Sequence, residues 1–262
     1  MENDYIARES REWDEIIKDK KHFIEPADYA LSEQEYCEKQ YAIWREIVLK
    51  AINLCGNLSG KRVLDFGCGV GNTSIILAER GAKVTALDIS PEMIGRVQKR
   101  LTATAFHHHC DISYSVEPLE KCKFNEKFDI IFCGAVLHHI PDFDNLMREF
   151  SKNLSKGGKL IFYEPLSNIV ANLIRHYGKY KGKGIHTQDE CPLKKNHIKI
   201  LKKWFATVNL IYYGIFSAVT RYWLVNSPYL FQSLLWLDRL FRGRLLPWYV
   251  IGECSHFIGE SS

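Results

Sequence analysis

The chain has 262 residues, 46% of them hydrophobic and 25% charged, which is the range of a folded globular protein and excludes a disordered or collagen-like one. Its 35 basic and 31 acidic residues leave a net charge of +4, too small to imply nucleic acid as a partner. Cysteines at positions 37, 55, 68, 110, 122, 133, 191 and 254 form no CxxC pair, so a zinc ribbon and a thioredoxin-like site are not indicated and free thiols are expected.

The first fifteen positions are charged and lack the apolar stretch of a secretory signal, so a cytoplasmic protein is expected. Residues 1–59 carry no strand pattern and read as an N-terminal helical cap. Ser32 followed by Glu35 is a capping box that opens a helix running toward Leu54. Tyr36, Tyr41, Trp44, Ile47, Val48 and Ala51 recur at helical spacing and predict one buried stripe.

From 61 to 164, short apolar runs alternate with amphipathic stretches, the pattern of an α/β fold with a doubly wound parallel sheet. Strands are predicted near 62–67, 83–88, 104–108, 128–133 and 158–164. The first runs through Val63, Leu64, Asp65 and Phe66 into Gly67, Cys68, Gly69, Val70, Gly71 and Asn72. Three alternating glycines between a strand and a helix let backbone N–H groups approach a ligand with no side chain in the way. A dinucleotide-binding turn needs a glycine where Asn72 stands, so that pattern fails.

The second strand ends on Asp88, followed by Ile89, Ser90, Pro91 and Met93. His107, His108, His109 and Cys110 precede Asp111 and Ile112. Strand side chains alternate between faces, so at most two of these histidines converge, and without a second cluster no metal is expected. The fourth strand leads through Gly134 to His138 and His139, and the fifth ends on Glu164 and Pro165. In such a sheet the ligand lies at the carboxyl ends of the strands, where Gly67, Asp88, Asp111, Gly134 and Glu164 are expected to meet.

Residues 167–177 read as a helix, 178–184 as a basic glycine-rich loop, Lys194–Phe205 as a basic helix and Thr207–Gly214 as a sixth strand. No charge stands between Lys203 and Arg221, or from Tyr222 to Leu237. Each run falls short of the roughly 20 apolar residues that span a bilayer. A buried lid, a dimer face, a greasy substrate pocket or a peripheral patch on the inner face of a membrane, over 205–245, each accounts for them. Trp223, Trp236 and Trp248 with Arg221, Arg239, Arg242 and Arg244 favour the interfacial patch over a span.

Taken in order, Asp65 to Gly71, Lys83 to Asp88, Asp111, Phe128 to Ile140 and Gly157 to Pro165 resemble the motifs of the class I S-adenosylmethionine (SAM) dependent methyltransferases. The specific resemblance covers 60–165. Asp189 to Leu193, Leu237 to Arg239 and Trp248 to Val250 look more loosely like the tail of bacterial type 11 methyltransferases. The resemblance implies a seven-stranded Rossmann-like sheet, with 60–165 as the SAM-binding core. Residues 166–262 would complete the same domain and carry a lid insertion at about 178–245. It implies SAM contacts from Asp65, Gly67, Cys68, Gly69, Gly71, Asn72, Asp88, Ile89, Met93, Asp111, Ile112 and Gly134. Asp88 would accept from the ribose hydroxyls, and Asp111 from the adenine amino group.

His138 or His139 is a candidate to contact the methionyl end or to act as a base, for which imidazole is suited. Glu164 is expected to face the same cleft, with the basic loop at 178–184 as its other partner. His186, Asp189 and Glu190 would reach in from the lid or cap the next helix. The acceptor is expected to be small, apolar or lipid-linked, methylated on O, N or C. A sugar or polysaccharide intermediate and a catalytically inactive scaffold are the alternatives. Nucleic-acid methylation is disfavoured because Cys133, Gly134, Ala135 and Val136 stand where an N/D-P-P-Y/F motif would be. Oligomeric state is not indicated.

Overall fold

The computed structural model describes residues 2–18, 32–40, 42–103, 111–168, 172, 191–214, 216, 228–240 and 247–258. Among them α1 (Glu2–Lys18), α2 (Glu33–Lys39) and α3 (Ala42–Leu54) come first. Then follow β1 (Arg62–Phe66), α4 (Asn72–Glu79), β2 (Lys83–Asp88), α5 (Pro91–Ala103), β3 (Asp111–Val116), β4 (Phe128–Gly134), α6 (Phe143–Asn153) and β5 (Leu154–Pro165). The last elements are α7 (Lys195–Trp204), β6 (Phe205–Gly214), α8 (Pro228–Leu240) and β7 (Pro247–Phe257).

The seven strands form one sheet in the order β3-β2-β1-β4-β5-β7-β6, with β7 antiparallel to both neighbours and the other pairings parallel. Consecutive side chains of a strand point to opposite faces, and here both faces are covered, so the central strands are mostly apolar. Val63, Ile130, Phe132 and Ile161 pack under Ile47, Val48 and Ala51 of α3. Leu64, Ile131, Phe162 and Val250 pack on the other side, under Met147 and Phe150 of α6 and Leu201 and Trp204 of α7. This is the doubly wound α/β sheet expected from the alternating pattern.

The helix expected from Ser32 to Leu54 is instead two helices. Ser32 caps the first, accepting from the Glu35 N–H at 3.1 Å. At Gln40 the backbone turns extended, and Arg45 Nη1 donates to the Cys37 carbonyl at 2.7 Å, meeting an acceptor that the break leaves open. The break turns Tyr36 and the stripe of Ile43, Ile47, Val48, Ala51 and Ile52 into one core. Tyr41 lies outside the described residues.

The third strand stands at Asp111–Val116, and the predicted span 104–108 lies outside the described residues, as do His107 to Cys110. β3 is a sheet edge that leaves Tyr114 and Val116 exposed, so it needs no apolar run to form. The helix expected over 167–177, apart from 167, 168 and 172, lies outside the described residues too. So do the loop 178–184, His186, Asp189 and Glu190. The described cysteines are free thiols, and burial pushes Cys55 up to about 12.

Part of the aromatic C-terminal stretch forms α8. Leu235 joins the core beside α3, and the buried Asp238 accepts the Phe216 N–H at 3.2 Å. The other side leaves Tyr229, Leu230, Trp236 and Leu240 exposed, Tyr229 at 87%. Among the described residues no helix is long and apolar enough to cross a membrane.

Candidate active site

The turn after β1 is built around two different needs for glycine. Gly67 has φ +68°, and a Cβ there would lie 2.2 Å from Val136 Cγ2, so this position lets the turn pack against the exit of β4. Gly69, at φ +52°, has nothing within 4 Å of an added Cβ, so its open side faces space for a ligand. The turn is pinned by β2. Gly67 and Cys68 donate to the Leu87 carbonyl at 2.8 and 3.0 Å, and Gly69 donates to Asp88 Oδ2 at 2.9 Å. Asp88 Oδ1 accepts from Ser90 N–H at 2.9 Å, and burial raises the carboxyl above its ordinary range. Gly71 caps α4, whose N-terminal amides and dipole favour negative charge.

Asp65 lies beneath this turn, fully enclosed, and accepts from the Ser74 hydroxyl at 2.5 Å. Burial pushes its pKa from 3.8 up to about 7, with the Ser74 bond pulling down and the Asp88 charge pushing up. Folding therefore raises this pKa, so the native state holds a proton that the unfolded chain has released. Stability falls as pH rises from about 4 to about 7 and then levels off, a loss on the order of 2–4 kcal/mol. Asp65→Asn is expected to flatten that slope and raise the Tm above pH 7 by several degrees. Thermal unfolding of the ligand-free protein across this range checks it; an unchanged slope would place the titration elsewhere.

A cavity of about 700 Å³ opens at the carboxyl ends of β1, β2, β3 and β4. Its floor is the glycine turn with Asp65, Cys68, Asn72, Asp88, Ile89 and Met93. One wall is Glu117 to Glu120, and another runs from Gly134 through Val136 to His139. The roof is α1, which contributes Tyr5, Ile6, Glu9 and Trp13. This helix is held by Ser10, whose hydroxyl donates to the Ile89 carbonyl at 2.8 Å, and by Asp14, which accepts from the Ser90 hydroxyl at 2.6 Å. Arg96 Nη2 adds a bond to the Ile17 carbonyl at 2.8 Å.

Most of the expected residues meet here, and five do not. Gly71 caps α4, with Val97 Cγ2 3.0 Å from where a Cβ would stand, and does not line the cavity. Asp111 pairs with Lys83 and Ile112 with Val84, while Asp88 pairs with Val116. Asp111 and Ile112 thus begin β3 at the opposite edge of the sheet, about 16 Å from the cavity edge for Asp111 at about 3.3 Å per residue. The acids at the carboxyl end of β3 are Glu117 and Glu120. Glu164 does not face the cleft. Fully buried, it accepts from Val136 N–H at 2.8 Å, Leu137 N–H at 2.7 Å and His138 Nδ1–H at 2.6 Å. Its partners among the described residues are thus those of the β4 exit loop. His138 is turned into that network, and of the two histidines only His139 lines the cavity.

A helical cap was expected over 1–59, but not that α1 is the part of it that roofs the cavity. Its signal is present in the spacing of Tyr5, Glu9 and Trp13, every fourth residue of a charged segment and therefore one helical stripe.

Similar proteins carry the same architecture. The ubiquinone biosynthesis O-methyltransferase of Coxiella burnetii is 36% identical over 126 residues, 48% of this chain and 52% of that protein. The chain thus spans about half the length of the curated relatives it matches. The magnesium protoporphyrin IX methyltransferase of Synechocystis PCC 6803, solved with S-adenosylhomocysteine (SAH), superposes with a TM-score of 0.52 at 21% identity, over 80% of this chain and 82% of that one. A phosphoethanolamine N-methyltransferase of Haemonchus contortus gives a TM-score of 0.59 at 16% identity, over 93% of this chain and 59% of that one. At these identities the structural matches speak for the fold. The family model of a methyltransferase domain matches residues 36–208, two thirds of the chain, from α2 into the start of β6. The chain therefore belongs to the methyltransferase-domain family.

Proposed function

We propose that this chain transfers the methyl group of SAM to a hydroxyl oxygen of a small, apolar or lipid-linked acceptor. The observation that carries this reading is one roofed cavity that brings together the glycine turn, Asp88 and His139. Its residues fit the cofactor. The open side of Gly69 leaves room for it, the carboxylate of Asp88 ends β2 beside the turn, and about 700 Å³ suits a nucleoside with an acceptor beside it. Asp88 would hold the ribose hydroxyls, the turn amides and Asn72 the amino-acid end, and Ile89, Met93 and Leu119 the base. Bound SAM supplies an electrophilic methyl on a sulfonium that leaves as a neutral thioether.

The chain's own work is then positional. The α1 roof and the apolar walls of Phe66, Leu119, Ile140 and Leu146 exclude water and hold the acceptor in line, from which most of the acceleration of a displacement with a good leaving group can come. His139 takes the hydroxyl proton as the new bond forms. The name of the Coxiella relative and the apolar walls favour an oxygen on an apolar molecule over a sugar.

Calorimetric titration with SAM, SAH and NAD side by side tests the cofactor, since a ligand of the native state also raises its apparent stability. Binding of the first two alone is expected; binding of none would leave a scaffold. The lipid-linked part has its own test in the exposed face of α8. Wild-type protein is expected to float with phosphatidylglycerol vesicles, and the pair Trp236→Ser and Leu240→Ser to reduce the floating fraction severalfold. A wild-type protein that stays at the bottom of the gradient removes the membrane contact.

A further inference from the structure

Of the cavity carboxylates that stand outside the family motifs, Glu9, Glu117, Glu120 and Asp142, one is buried. Glu9 comes from α1, far from the glycine turn in sequence, yet it is 3% exposed and lines the same cavity as His139. Its Oε1 lies 2.9 Å from His139 Nδ1 and accepts the indole N–H of Trp13 at 3.0 Å. Trp13 stands edge-on to the His139 ring with centroids 5.5 Å apart, and the Tyr5 hydroxyl donates to the His139 carbonyl. One helix stripe therefore holds the histidine by its ring, its Nδ1 and its backbone. Glu9 Oε2 is buried with no hydrogen-bond partner among the described residues. A buried carboxylate oxygen left without a donor is costly, so Oε2 keeps an acceptor for an O–H or N–H of the bound molecule.

We propose that Glu9 is a positioning residue of the active site, delivered by the docked α1, which fixes His139 in the tautomer that can accept the acceptor's proton. The inference rests on the reading of His139 as the base. A carboxylate on Nδ1 holds the proton there and leaves Nε2 as the basic nitrogen. In the transfer, the acceptor O–H bond breaks and its proton goes to Nε2. The new O–C bond forms as the C–S bond of SAM breaks, with the electron pair going to sulfur. The imidazolium that results is stabilised by the Glu9 charge. The helix that orients the base is thus the one that roofs the cavity, which ties proton acceptance to a water-excluded site.

The test is spectroscopic and needs no acceptor. Full-length protein with isotope-labelled histidine is examined by long-range proton–nitrogen spectra under alkaline conditions where imidazoles are neutral. The His139 signals are those lost in His139→Gln. Wild type is expected to show mainly the Nδ1–H form. Glu9→Gln, whose amide oxygen still accepts, should retain it, and Glu9→Ala should shift His139 to mainly the Nε2–H form. An Nε2–H form in the wild type, or an Nδ1–H form that survives in a folded Glu9→Ala, overturns the proposal. Titrating the same wild-type sample with SAH judges the cofactor reading separately, because the tautomer is read without any ligand.

Discussion

Asp88→Ala is expected to weaken SAH binding by about a hundredfold while the chain stays folded. The carboxylate has two tasks at one spot, accepting from Gly69 N–H and Ser90 N–H, both at 2.9 Å, and standing beside the cavity where a ribose would lie. Each hydrogen bond to a charged group contributes about 1.5–3 kcal/mol, and losing the ligand's share together with some order in the turn amounts to about 3 kcal/mol, or two decades in affinity. The core under β2 rests on Val84, Ala86 and Leu87, which the substitution leaves alone, so the circular dichroism spectrum should be unchanged. Gly69→Arg is the companion, because it fills the open side of the turn instead of removing an acceptor. Calorimetry that finds wild-type affinity in both folded variants would move the cofactor away from this cavity.

The second large effect concerns stability. Glu164→Ala should cost roughly 3–5 kcal/mol, because it strands two backbone N–H groups and an imidazole N–H that converge on one fully buried carboxylate. At a few degrees per kcal/mol for a chain of this size, the Tm falls by roughly 6–12 °C. Glu164→Gln retains an acceptor for the loop amides but turns an NH₂ group on either them or His138, and should lie between. SAH affinity measured well below the Tm is expected to change little, since the carboxylate does not line the cavity. Full stability combined with lost turnover would return Glu164 to the chemistry.

These two acids show where one-dimensional reading succeeds and where it stops. The place of Asp88 beside the turn was legible because it is set locally. A strand that ends on an acid beside a glycine turn needs only the β1-α4-β2 unit to bring the two together, and the backbone demands at Gly67 and Gly69 are written in the residue type. Glu164 was placed at the correct end of β5, but its direction depends on the exit loop of β4, some twenty-five residues away, and on His138 turning toward it. Asp111 failed for a related reason. Without an apolar run to mark the half-exposed edge strand, the register was set seven residues early, and in a parallel pairing that moves a residue from one edge of the sheet to the other.

Alternating burial, the glycine turn and the order of motifs are properties of neighbours in the chain, and they carried the α/β class, the ends of β1, β2 and β4 and the floor of the cavity. The roof, the division of labour between His138 and His139, and the meeting of Glu9 with His139 arise from contacts between residues 26 to 134 positions apart. Helical and strand periodicity say which face of an element is buried but not which distant face it meets, and that meeting is set by packing the whole sheet and its helices at once.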